Sequence, residues 1–191
     1  CYKLATANIP TSLKAIPEGM FSSCSKLTDV TIPASVQSIG AYAFYSCSEM
    51  TSISIPDSVE EIGQRAFASC RKLTTANIPT SFKEIPAGLF SSCSNLTSIT
   101  IPASVQSIGN EAFMYCYKIA PEFAEGSILK SIGVNAFYNC YEMTSISIPN
   151  SVEEIGGSAF QACSKLETAN IPASLKVIPE DMFSSCFELT D

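Results

Sequence analysis

The chain contains no histidine and no tryptophan, and its eleven Lys and Arg residues are scattered through 191 positions. Without imidazole, the commonest general base and metal ligand is missing, which removes a serine-hydrolase reading, as does the lack of a nucleophile elbow. No Cys-x-x-Cys pair and no glycine-rich phosphate loop occurs, so neither a zinc or redox site nor a nucleotide site is expected, and no cofactor is expected. A formal net charge of -7 with no clustered basic residues leaves no surface for nucleic acid. Apolar runs are short of the roughly 18 residues a transmembrane helix needs. What is present is 46% hydrophobic residues against 15% charged, the balance of a chain that buries a core rather than a disordered one.

The nine cysteines carry the organisation. They stand at positions 1, 24, 47, 70, 93, 116, 140, 163 and 186, separated by steps of 23 residues with a single step of 24. A fixed period of this length marks a solenoid, in which each unit buries its apolar face by stacking on its neighbours. Residues 1–191 therefore form one array of eight units plus the start of a ninth, read as cut mid-array at both ends. Eight of the eleven Phe share one repeat position (Phe21, Phe44, Phe67, Phe90, Phe113, Phe137, Phe160 and Phe183), and seven Pro share another. Stacked cysteines all point the same way and are odd in number, so the column reads as small buried hydrophobes with reduced thiols.

Within the unit Cys24–Ser46, Val30 and Ile32 alternate with Asp29 and Thr31, the period of a short strand with one buried face. Pro33 lacks an N–H and ends it. Val36 and Ile39 turn back inward, and Gly40 is expected to adopt a turn conformation closed to other residues. The spacing of Ala43, Phe44 and Cys47 predicts a short helical or 3-10 turn. One strand and one helical turn per coil make an α/β repeat.

The pattern Cys-x-x-Leu-x-x-Ile-x-Ile-Pro-x-Ser-Val-x-x-Ile-Gly-x-x-Ala-Phe-x-x-Cys, present at 47–70 and again at 93–116, resembles the BspA-like leucine-rich repeats of bacterial and protist surface proteins. The resemblance covers essentially the whole chain. It implies a right-handed superhelix with short parallel strands on a concave face and helical or 3-10 turns on a convex one. It further implies a non-enzymatic binding or adhesion module, extracellular or on the cell surface, whose partners are host or extracellular-matrix proteins or glycans.

Two local features stand out. Units one, four and eight carry Ala at the inward strand position (Ala7, Ala76, Ala169) and a large residue before the column Phe (Met20, Leu89, Met182), whereas elsewhere Val or Ile pairs with Ala. This exchange predicts conserved volume inside the coil. Unit six, 116–139, is one residue longer than the others, and Glu122 and Glu125 fall where other units bury aliphatics. Since an unpaired buried carboxylate is costly, a bulge through Pro121–Ser127 is expected, with the regular path regained by Ile132.

The candidate binding face is the outward set of strand positions: Thr6, Asn8, Asp29, Thr31, Ser52, Ser54, Thr75, Asn77, Ser98, Thr100, Ser145, Ser147, Thr168 and Asn170. Nearly all are small, polar and uncharged. Such rows suit either a docking surface or the solvated flank of a passive stalk or spacer displaying other domains. The carboxylate pairs Glu60–Glu61 and Glu153–Glu154 occupy one loop position in copies of a unit type and read as a solvated edge, not as the facing pair of a glycosidase. Asn95 opens the single Asn-x-Thr sequon.

Overall fold

A computed structural model describes residues 2–190. Fifteen short strands lie in these residues. They run β1 (Thr6–Asn8), β2 (Ala15–Ile16), β3 (Asp29–Thr31), β4 (Ser38–Ile39), β5 (Ser52–Ile53), β6 (Glu61–Ile62), β7 (Thr75–Ala76) and β8 (Glu84–Ile85). There follow β9 (Ser98–Ile101), β10 (Ser107–Ile108), β11 (Ala120–Phe123), β12 (Ser131–Ile132), β13 (Ser145–Ser147), β14 (Glu154–Ile155) and β15 (Thr168–Asn170). All pairing is parallel and joins neighbouring coils, so the chain is a parallel-strand solenoid.

Odd-numbered strands form the column anticipated around Val30. The even-numbered ones form a second column that the sequence did not announce: Ile16, Ile39 and Ile62 stack in register, as do Ile85, Ile108, Ile132 and Ile155. The segment Ser38–Ile39 is thus a two-residue strand rather than part of a plain turn.

The expected helical turn is absent: no helix is found among the described residues. The Ala43–Phe44–Cys47 spacing arises differently. Alternate N–H groups turn back on their own coil, as in Tyr45 N to Tyr42 O (3.0 Å) and Cys47 N to Phe44 O (3.2 Å). The intervening ones reach the next coil, with Tyr42, Phe44 and Ser46 donating to Gln64, Ala66 and Ala68 carbonyls at 3.1, 2.8 and 2.8 Å. This alternation needs a left-handed residue twice per coil, here Tyr42 (φ 55°) and Ser46 (φ 58°), a conformation that cannot propagate a right-handed helix. The result is a third ladder along the turn face.

Gly40 likewise has another role than the one expected. Its φ is not positive; instead, a Cβ there would lie 2.4 Å from Glu18 N of the preceding coil, and at Gly63 the distance to Ala41 N would be 2.2 Å. Glycine is demanded by the approach of two backbones.

Inside, the Phe column from Phe21 to Phe183 forms seven successive stacked pairs with ring centroids 5.1 to 6.0 Å apart and interplanar angles of at most 19°. These offset stacks run beside columns of buried Leu, Val, Ile and Cys, and no polar or charged side chain is buried among the described residues.

Coil six departs from expectation. β11 pairs without interruption with β9, placing Pro121 against Ile99, Glu122 against Thr100 and Phe123 against Ile101. Glu122 therefore points outward and is exposed, and no bulge is needed to rescue its carboxylate. The irregularity begins after Phe123: five residues, 124–128, separate it from buried Leu129, where 102–104 suffice between Ile101 and Val105. Regular pairing returns at Ser131 and Ile132.

Candidate binding face

All fourteen outward positions are exposed and lie on the first-strand side of the coils. Parallel register aligns many of them into rows: Ser52, Thr75 and Ser98 in one, Thr6 with Asp29, Asn8 with Thr31, Ser145 with Thr168, and Ser147 with Asn170. Ala120 and Glu122 continue the rows of Ser98 and Thr100, two face positions that sequence reasoning missed because it placed unit six one residue out of register. The rows are not one sheet. They divide into β1–β3, β5–β7–β9–β11 and β13–β15, and the second column divides between β6 and β8.

Each division opens a surface cleft between its flanking strands. One of about 310 Å³ lies between Thr31 and Ser52, one of about 430 Å³ between Glu61 and Glu84, and one of about 670 Å³ between Glu122 and Ser147. Clefts are not confined to these divisions: another, of about 530 Å³, lies along the single sheet that contains β7, β9 and β11.

Not every candidate is free to bind. The Asn77 side-chain amide is committed to the preceding coil: Nδ2 donates to Ile55 O at 2.8 Å and Oδ1 accepts from Ile55 N at 2.7 Å. Asp29 accepts from Thr28 Oγ1 at 3.1 Å. The remaining hydroxyls of the β5–β11 rows, Ser52, Ser54, Thr75, Ser98 and Thr100, offer donors and acceptors to solvent without a cation among them.

Other residues singled out from the sequence have definite places and partners. Glu61 and Glu154 sit on the second strands, not in loops, with Glu61 paired to Ser38 and Glu154 to Ser131. Glu153 meets Lys130 Nζ at 2.6 Å, an ion pair that holds its carboxyl below the ordinary range. Lys72 does the same for Glu49 at 2.7 Å. A third pair, Arg65 with Glu111 at 2.6 Å, spans two coils; the Arg65 chain crosses above Gly88, where a Cβ would lie 2.7 Å from its Cγ. Asn95 Nδ2, the atom a glycan would be joined to, donates to Arg71 O at 2.8 Å.

The described cysteines are all free. From Cys47 to Cys186 each thiol donates to the carbonyl of the Phe in the preceding coil, as Cys47 to Phe21 (3.2 Å), Cys93 to Phe67 (3.1 Å) and Cys116 to Phe90 (3.1 Å). Burial pushes the Cys70, Cys93 and Cys116 thiols upward, so they stay protonated. Cys1 lies outside the described residues. Among those described, no group of three or more His, Cys, Asp or Glu could hold a metal, and no helix is long and apolar enough to cross a membrane.

Aromatic anchors, missing from the strand rows, gather elsewhere. Tyr115 lies edge-on to Tyr138 at 5.5 Å and to Tyr117 at 6.3 Å, and Tyr117 stands 5.1 Å from Tyr141. Their spacing in sequence hides the cluster, since it forms only when three coils stack.

A stack of identical parallel coils with a Leu, Ile and Phe interior is the architecture of a leucine-rich repeat protein. The model of the BspA type leucine rich repeat region matches residues 1–120 and 122–191 in six copies, and the chain belongs to that family. It is similar to the crystal structure of a leucine-rich repeat protein from Eubacterium ventriosum (30% identity, TM-score 0.76, 93% of this chain and 45% of the other). It is also similar to a leucine rich cell surface protein from Faecalibacterium prausnitzii (32%, TM-score 0.65, 100% and 59%). A leucine-rich repeat protein from Bacteroides ovatus matches at 26% identity with a TM-score of 0.59, over 99% of this chain and 72% of the other. The chain thus spans about half the length of the first two. No curated protein matches it.

Proposed function

We propose that this chain is a non-enzymatic binding module of a cell-surface or secreted protein, taking macromolecular partners on the first-strand face. That face would be the concave side of a right-handed superhelix, and its partner a host or extracellular-matrix protein or a glycan. The observation that carries the reading is the alignment of exposed Ser, Thr and Asn side chains in rows held by parallel register. Fixed rows of neutral hydroxyls and amides favour many weak hydrogen bonds over several coils, with mild salt dependence. The similarity to a protein described as a leucine rich cell surface protein supports a surface location.

The stalk or spacer reading is favoured by one observation, the lack of aromatic or Arg side chains in the rows, since those residues dominate binding hot spots. The two readings separate on the variant Thr75→Lys, Ser98→Lys, Thr100→Lys. Asn77 is left intact because its amide holds Ile55. Binding to a panel of purified matrix proteins should be lost in this variant while its unfolding transition stays in place. Unchanged binding, or no binding by the parent chain, supports the stalk.

A further inference from the structure

The largest of the clefts lies where coil six meets coil seven, and both of its walls bond away from it. On one side, the long turn after Phe123 leans back on coil five: Ala124 N donates to Ile101 O at 3.0 Å and Ile128 N to Ala103 O at 3.2 Å. On the other, Ile148 N donates forward to Asn170 O at 3.2 Å. β11 and β13 are unpaired with each other and belong to separate sheets. The gap measures about 670 Å³, within the range of roughly 300–1,000 Å³ typical of small-molecule sites.

Ser151 on its wall is anomalous. Its counterparts Ser35, Ser58 and Ser81 each donate to the carbonyl 22 residues earlier, at 2.9, 2.8 and 3.3 Å. The equivalent acceptor for Ser151 would be Leu129 O, yet the enclosed Ser151 Oγ has no hydrogen-bond partner. The turn itself is open: Gly126 has φ 73° and nothing within 4 Å of where a Cβ would stand.

From this geometry we infer that the cleft binds a neutral saccharide unit. Its lining combines the Glu122 carboxylate, the Ser145 and Ser147 hydroxyls, the Asn150 amide and the half-buried Phe123 with two prolines, and it contains no cation. An anionic ligand would meet Glu122 with nothing to offset its charge. An ammonium group donates but cannot accept, so it would leave the Ser O–H and Asn N–H donors without acceptors. Sugar hydroxyls do both, and adjacent ones can donate to the two Glu122 oxygens, while Phe123 and the prolines suit the C–H faces of the ring. The inference rests on the first-strand face being a binding surface, since Ser145 and Ser147 belong to its rows. It adds the ligand class and the place on that face.

The test is an amide-resolved NMR titration of the intact chain with lactose, cellobiose, maltose and N,N′-diacetylchitobiose. At least one should shift amides within 122–127 and 145–151, with a dissociation constant on the order of 1 mM. Glu122→Ala and Ser147→Leu should each weaken that binding about tenfold or more with unchanged thermal unfolding. The inference is overturned if no disaccharide moves these amides, if the shifts fall elsewhere, if the two cleft variants bind as the parent does, or if n-butylammonium alone perturbs the same residues. Loss of matrix-protein binding in the triple variant is read separately and stands or falls without the cleft.

Discussion

The Asn77 side chain clasps the backbone of Ile55 as a peptide group would, donating to its carbonyl at 2.8 Å and accepting from its N–H at 2.7 Å. β5 and β7 pair through only two residues each, and the Asn77 amide extends the contact beyond Ala76. Asn77→Ala should destabilise the chain by about 1–3 kcal/mol, because it strips the partner from a buried N–H. Asn77→Asp, which keeps an acceptor and loses the donor, should fall between. Urea denaturation of both variants checks the order; an Ala variant as stable as the parent would contradict the clasp.

Two glycines should respond to alanine for different reasons. At Gly63 the added Cβ would stand 2.2 Å from Ala41 N, a backbone atom that cannot swing aside. Gly63→Ala should therefore force two coils apart at a cost of about 3 kcal/mol or more, at the upper end of overpacking penalties. At Gly126 there is space, and only the positive φ resists, so Gly126→Ala should cost about 1 kcal/mol. Thermal midpoints of the two variants should separate accordingly.

Volume exchange within coil four can be tested directly. Leu89 is fully buried and Ala76 packs partly buried against the core, the reverse of the Ile99 and Ala112 arrangement one coil on. Ala76→Ile alone should cost about 1–3 kcal/mol, and Leu89→Ala in the same chain should recover part of it. A strictly additive double-mutant cycle would show that the two sites do not share space. Met20 makes a poor test, being 44% exposed in the first coil.

The thiol column sets an alkaline limit. Burial raises the Cys70, Cys93 and Cys116 thiols, so they stay neutral in the folded chain while their unfolded counterparts ionise near the ordinary value of 9.0. Above that pH the folded state holds more protons than the unfolded one, and stability must fall as pH rises. Each such thiol contributes about 1.4 kcal/mol per pH unit. Urea midpoints should be level from pH 7 to 8 and drop steeply between 9 and 10.5, and Cys93→Ala should make the drop shallower.

The period, the inward columns and the fourteen outward positions could be read from the sequence because each is set by its place in a repeated coil, the outward ones recurring two to a unit in seven of the eight. The second strand column could not, since Ser38–Ile39 is too short to display alternation. Ala43, Phe44 and Cys47 misled because inward residues at one- and three-residue spacing serve a helix and a chain of left-handed turns equally well. Gly40 recurs as Gly63, Gly109, Gly133 and Gly156 for a backbone contact between coils, a distance invisible within one unit. Glu122 was misplaced because coil six shortens by one residue before its strand and lengthens by two after it, and only the net extra residue shows in the cysteine spacing. The Asn77 clasp and the tyrosine cluster depend on which coils become neighbours.

Hydrogen bonds and ion pairs between coils span about one repeat length, with one exception among those described: Arg65 reaches over Gly88 to Glu111, 46 residues on. Under tension applied at its two ends, a chain of nearest-neighbour links gives way one coil at a time, and each step is much like the last. The arginine strap adds one half-exposed link across coil four, worth about 1 kcal/mol or less, so it biases the central coils only slightly toward yielding together. Gly88 lets that strap lie flat, and a larger residue there would push the Arg65 chain aside and take that link away.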